Sequence, residues 1–203
     1  PWGTVAVHGK NASNSILNNI HMDGGSGTEI DGIRYTSMLS FHDVGGINVD
    51  GLVLSNNSIY DDMLHLIYTN NMFFKNIIIN SSFSDSIDID MSNNIRLVDI
   101  KITNSGNDGV DLMESLVIIN NSSILKSNDK GVSTGERSNV LVCNSIISSN
   151  DIGIAVKDGS SAVLAYVDLK NNVTDISAFS KNWRYSDGGS IKILRSKNAS
   201  PSI

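Results

Sequence analysis

Between residues 82 and 115, in the stretch SFSDSIDIDMSNNIRLVDIKITNSGNDGVDLMES, seven acidic side chains are set into what otherwise reads as ordered core. Carboxylates gathered in this way can do three kinds of work. One of them, protonated through a raised pKa, can act as a general acid beside an ionised partner. Several together can share a hard cation such as calcium. Asp side chains can also satisfy backbone groups at turns, which is architecture rather than chemistry.

Which carboxylates meet depends on a repeat. DMLHL from Asp62, DSIDI from Asp85, DGVDL from Asp108, KGVST from Lys130 and IGIAV from Ile152 recur at steps of 22 to 23 residues. In each segment the third and fifth residues are mostly apolar, as in Leu64 and Leu66, Ile87 and Ile89, Val110 and Leu112. That period of two belongs to a strand with one buried face. A second apolar run follows in most repeats (MFFKNIII, IRLVDIKI, LVII, NVLVC, AVLAYVDL), across corners of Asn, Ser and Gly.

Helical spacing is almost absent. A coil-length period with two or three short strands per repeat predicts an all-β solenoid, a single-stranded parallel β-helix of about 22–23 residues per coil. A β-sandwich would need antiparallel hairpins instead of a recurring motif. We expect one domain over residues 1–203, with irregular early coils at 1–34 and a terminal coil or cap at 171–203.

Coils stack at the strand spacing of about 4.8 Å, so equivalent residues become neighbours. The fourth column, His65, Asp88, Asp111, Ser133 and Ala155, should point outward, as should the sixth, Ile67, Asp90, Met113, Gly135 and Lys157. The second, Met63, Ser86, Gly109, Gly131 and Gly153, is expected outside as well, leaving a low, open face. Asp62, Asp85, Asp108 and then Lys130 form a corner column in which each Asp can hold turn backbone and Lys130 can pair with the preceding Asp. Two carboxylates about 5 Å apart repel by about 0.8 kcal/mol in water and about 3 kcal/mol at a protein-like dielectric, so the cluster needs compensation.

The candidates follow from these columns. Asp88, Asp90 and Asp111 are the metal candidates, for calcium, with His65 able to complete the set; a 23-residue preceding coil would stack His42 above His65. His65, Asp88, Lys130, Glu136, Arg137 and Trp183 are candidate ligand contacts; Lys130 and Arg137 suit an anionic sugar, and Trp183 and Tyr185 suit stacking unless they are cap core. Should the protein be an enzyme, Asp85, Asp108 and Asp111 are the catalytic candidates. The diagonal pair Asp85 and Asp111 is the one that could reach the separation of about 6.5–9.5 Å that an inverting glycosidase needs.

Bulk properties exclude other classes. Net charge is −6 with no run of Lys and Arg, so nucleic acid is not an expected partner. No apolar run approaches the roughly 18 residues of a membrane helix. The lone Cys143 excludes an intrachain disulfide and is expected to be buried.

At these motifs the chain resembles the right-handed parallel β-helix superfamily of pectate-lyase-like proteins over roughly residues 35 to 190. DDMLHLIY, FSDSIDID, NSGNDGVDLM, DKGVSTGE and KNWRY look like a bacterial β-helix module attached to spore-coat-H kinase-like proteins. That resemblance implies the right-handed fold and an extracellular or cell-surface setting. FSDSID and GNDGVD are also similar to polygalacturonase motifs, which would map catalytic carboxylates onto Asp85 and Asp108, with Asn107 in the place of one family carboxylate.

Two functions are therefore carried forward. The first is a non-catalytic module that binds polysaccharide or self-associates into a surface layer or fibre. The alternative is a polysaccharide-degrading glycosidase or lyase built on the carboxylate cluster.

Overall fold

The computed structural model describes residues 2–185 and 187–196. Wherever apolar residues alternate, the chain is strand, and the strands stack in two long parallel sheets. One has eight strands: Val5–His8, Ser37–His42, Asp62–Ile67, Ile87–Asp90, Val110–Met113, Lys130–Gly135, Ile152–Lys157 and Thr174–Phe179. The other has ten, nine of them on its main path, with the long strands Asn70–Ser82 and Asn93–Ser105 toward its middle and Ser190–Ser196 paired to Ser161–Lys170 off that path.

Register gives the coil length. Leu39 lies beside Leu64, Leu64 beside Ile87, Ile87 beside Val110, Val110 beside Val132 and Val132 beside Ile154, in steps of 25, 23, 23, 22 and 22 residues. The 25-residue step corrects the even spacing expected for the histidines. His42 is in register with Ile67 rather than His65, and the two imidazoles are diagonal neighbours with ring centroids 5.4 Å apart.

The first coil is regular: Ile16–Asp23 runs in parallel register with Asn48–Ser55. Between it and the next coil sits a hairpin, Thr28–Ile30 against Ile33–Tyr35, the one antiparallel pair among the described residues. Its turn is Asp31-Gly32, both at positive φ, as a tight hairpin turn demands. Thr174–Phe179 and Ser190–Ser196 continue the winding, while residues 197–203 of the expected cap lie outside the described residues.

The core is a stack of aliphatic columns, Leu64, Ile87, Val110, Val132 and Ile154 among them, all at most 1% exposed. Each fully buried side chain of this kind contributes about 1.5–3 kcal/mol. Corners carry hydrogen-bonded ladders. The backbone N–H of Thr69 donates to Ser92 Oγ, Ser92 to Ser115, Ser115 to Ser138 and Ser138 to Ser160, at 3.0–3.1 Å. Backbone left unpaired by the bend is satisfied one coil away.

Two expectations about facing are corrected. The second column points inward: Met63 and Ser86 are fully buried, and a Cβ on Gly109 or Gly131 would meet Ile124 Cγ2 at 2.5 Å or Ile147 Cγ2 at 2.6 Å. Strict alternation fails there because the chain is still leaving its corner. Cys143 is half-exposed rather than buried, with Sγ donating to Asn120 Oδ1 at 3.2 Å. No helix among the described residues is long and apolar enough to cross a membrane.

Candidate functional site

The outer face of the eight-stranded sheet carries the fourth column as Ser40, His65, Asp88, Asp111, Ser133, Ala155 and Ser177. Beside it runs His8, His42, Ile67, Asp90, Met113 and Gly135. Histidines thus lie at one end, carboxylates in the middle, and Lys157 beyond. Parallel pairing sets Asp88 directly beside Asp111.

His65, Asp88 and Asp90 converge most closely. His65 Nε2 is 3.4 Å from Asp90 Oδ2 and 3.7 Å from Asp88 Oδ2, and one donor atom from each residue falls within 4.8 Å of the others. On the ring's far side, Thr36 Oγ1 lies 3.3 Å from Nδ1 and gives its proton to Asp62 Oδ2 at 3.1 Å. His65 Nε2 thus faces two carboxylate oxygens, an arrangement that a proton or a cation between them stabilises.

Burial, followed by the charges of Asp62, Asp90, Asp111 and Asp85, pushes the Asp88 carboxyl up to about 10. Asp62, more deeply buried and beside Asp61 and Asp85, is also raised well above the usual carboxylate range. In both, the raised pKa favours the protonated form, and a cation bound beside them would oppose it.

The corner column is built differently. Asp85 Oδ1 accepts the backbone N–H of Asp108 at 2.7 Å and the Asn107 amide at 2.9 Å. Asp108 Oδ1 accepts the backbone N–H of Lys130 at 2.8 Å, with Lys130 Nζ at 3.5 Å; that ammonium also bonds Asp129. Burial lifts Asp85 to about 7, with Asp108 and Asp111 adding to it against the hydrogen bond from Asp108. Asp108 rises to about 6 through burial and Asp111, opposed by Lys130. Asp111 turns Oδ1 back to the N–H of Leu112 at 3.0 Å.

Farther along the face, Gly135 leaves room for Lys157, which crosses to donate from Nζ to Ser133 Oγ at 3.0 Å. Glu136 and Arg137 turn the adjoining corner at positive φ, and the Arg137 guanidinium lies over the Tyr185 ring at 5.4 Å. Trp183 is not cap core: it is 87% exposed.

Of the expected metal set Asp88, Asp90 and Asp111, the structure groups Asp88 and Asp90 with His65, while Asp111 turns to Leu112; Lys130 lies at one end of its strand, with Glu136 and Arg137 past the other. The sequence columns missed Thr36, which bridges His65 and Asp62 from outside any repeat, and Lys157 as a face residue with a defined partner. They also missed Asp158, although the Asp158-Gly159 dipeptide is a turn signal. Cavities of about 450 and 390 Å³ belong to the ten-stranded sheet and its corners, while on the acidic face the Asp88 and Asp90 side chains are 22% and 16% exposed.

The chain belongs to the right-handed β-helix family: the sequence family described as "Right handed beta helix region" matches residues 37–199. Among curated proteins none matches the sequence. Of solved structures, the enzymatically active domain of bacteriophage CBA120 tailspike protein 2 is similar at a TM-score of 0.52 and 12% identity, over 89% of this chain. This chain spans 34% of that one, about a third of its length. Pectate lyase Pel9A gives 0.43 at 10% identity over 97% of this chain and 66% of its own. The catalytic domain of a GH87 α-1,3-glucanase, in complex with nigerose, gives 0.32 at 10% identity over 97% and 56%.

Proposed function

We propose that this chain is a non-catalytic carbohydrate-binding β-helix module of an extracellular or cell-surface protein, whose acidic face receives an extended polysaccharide. The observation that carries the reading is the use to which Asp85 and Asp108 are put. Each spends an oxygen on the backbone N–H of the next coil, and they are 8% and 2% exposed. A glycosidase pair must reach the glycosidic oxygen and the anomeric carbon from two sides. Carboxylates bound into a corner do not do so.

What remains partly open is a patch of carboxylates, Asp88, Asp90 and Asp111, between the buried His65 and Ser133, with an aromatic loop nearby. Such a surface suits a polymer that makes many weak polar contacts better than it suits a small molecule, which takes an enclosed cavity. Attachment to a larger surface protein, as the likeness to the spore-coat-H-associated module implies, belongs to the same proposal.

A divalent cation fits the reading. His65, Asp88 and Asp90 would hold it, leaving coordination positions for water or sugar hydroxyls. One imidazole nitrogen among the donors favours a borderline ion such as Mn²⁺ or Zn²⁺ over calcium, which prefers an all-oxygen set.

The test combines calorimetric titration with a panel of acidic and neutral polysaccharides, and reducing-sugar and ultraviolet assays for product. Binding with no product is expected. Product formation that disappears in Asp88→Asn, with the fold intact, would replace this reading with the enzymatic one. Absence of binding across the panel would remove the carbohydrate reading, and a concentration-dependent mass in light scattering would redirect it to self-assembly.

A further inference from the structure

Residues 180–185, 187 and 188 leave the last coil and run along the corner that carries Asp158, Arg137 and Glu114. Their base is closed by the Gly189 N–H donating to Phe179 O at 3.1 Å. Gly189 is packed so tightly on Val156 that an added Cβ would lie 2.0 Å from Val156 O. Asp158 is fully buried under the loop; its Oδ1 accepts the backbone N–H groups of Lys181 and Asn182 at 2.7 and 2.8 Å. The Gly159 N–H donates to Asp187 O at 2.8 Å. The loop is held at both ends by the solenoid.

Its tip reaches far. The Tyr185 hydroxyl donates to Glu114 Oε1 at 3.4 Å, across 71 residues. Glu114 follows Met113, which is in register with Asp90, so the arm ends one coil from the His65, Asp88 and Asp90 group.

Between anchor and tip stands Trp183, 87% exposed, with the Arg184 guanidinium 5.8 Å from its ring centroid. Neither Arg184 nor Arg137 has a carboxylate partner among the described residues. An anchored, exposed indole beside the Arg184 guanidinium, with Arg137 over Tyr185 two residues on, is a ready platform for a flat apolar surface that carries negative charge. Preorganisation matters here, because a loop already fixed loses little entropy on binding.

We propose that this arm is a saccharide subsite: Trp183 stacks on the apolar face of a pyranose ring while Arg184 and Arg137 pair with its anionic substituent, a carboxylate or a sulfate. The subsite rests on the carbohydrate reading above and names the class of sugar. The tip of the arm reaches Glu114, one coil from the His65, Asp88 and Asp90 group, so one polymer chain can span the arm and the acidic group.

The experiment is calorimetric titration of the full chain with alginate (carboxylate), dextran sulfate (sulfate) and dextran (neutral), together with tryptophan emission, Trp2 serving as the internal reference. Binding of the charged polymers over dextran is expected. Trp183→Ala should weaken that binding about tenfold, equivalent to about 1.4 kcal/mol, and abolish the emission change, with an unaltered melt. Arg184→Gln should cut the preference for charged over neutral polymer and its salt dependence. If Trp183→Ala binds as the wild type does, the arm is overturned and the carbohydrate reading stands. If dextran binds equally well and Arg184→Gln changes nothing, the anionic class is overturned. If the wild type binds none of the three, the carbohydrate reading itself fails, and the arm with it.

Discussion

The backbone N–H of Asp108 donates to Oδ1 of Asp85 at 2.7 Å, joining two residues one coil apart through a carboxylate whose pKa is lifted to about 7. A corner aspartate of this kind is a structural acceptor that keeps its hydrogen bond whether or not it is ionised. Asp85→Asn retains an oxygen for the Asp108 N–H while removing the charge. We expect it to leave polysaccharide binding unchanged, and Asp85→Ala to cost about 1–3 kcal/mol by stranding that buried N–H. Denaturant unfolding of the two variants separates these outcomes, and equal losses would refute the acceptor role.

Stability should depend on pH in a direction unusual for an acidic protein. Asp108 and Asp85 have folded-state pKa values of about 6 and 7, above the unfolded carboxylate value. Their contribution is complete below about pH 4 and is lost as pH rises through 6 to 7. His42 works oppositely: burial, then the neighbouring His65 and His8, depress it to about 4. Its contribution is present above the unfolded value of about 6.5 and is lost as pH falls through 4. Between about pH 4 and 6.5 two carboxyls lose stability as pH rises while one imidazole gains it, so a melting temperature that falls from pH 5 to 8 is expected, more steeply in His42→Gln. A steady rise from pH 5 to 8 would contradict it.

Cation addition should reverse the alkaline loss. At pH 7–8, Mn²⁺ or Zn²⁺ is expected to raise the melting temperature and to release protons, because ligands that hold protons must give them up. Calcium should do less. Asp88→Asn combined with Asp90→Asn should abolish the response without lowering the metal-free melt. A shift that survives the double substitution would place the ion elsewhere.

Gly109 is required by space. A Cβ there would lie 2.5 Å from Ile124 Cγ2 and 2.6 Å from the Gly131 carbonyl oxygen, and backbone cannot yield cheaply. Gly109→Ala should destabilise by about 1–3 kcal/mol, read from the denaturant midpoint. Neutrality would mean that the corner is looser than these distances indicate.

The serine ladder offers a separate check. Ser115 Oγ accepts the N–H of Ser92 and donates to the carbonyl oxygen of Met113 at 2.8 Å. Ser115→Ala should cost about 1–3 kcal/mol and raise hydrogen exchange at Ser92 selectively. Uniform exchange across the coil would point to global loosening instead.

The coil period and the membership of each column were legible in the sequence, because stacked coils repeat their burial requirement at every turn. Leu64, Ile87 and Val110 announce one interior column, and Asp88 beside Asp111 follows from the same count. The corners were not legible in that way. Tyr68, Met91, Glu114 and Glu136 each adopt positive φ, a conformation that their residue types do not advertise. Where the chain bends, alternation lapses, so Ser86 and Gly109 turn inward against a simple parity count.

Sequence by itself determined which residues share a coil height and a column, since that depends only on spacing along a regular winding. Only the tertiary structure decided which carboxylates are spent on backbone and which stay open, and that the loop bearing Trp183 returns to Glu114. Those outcomes depend on directions of individual N–H bonds and on long-range packing, and neither is written in a period.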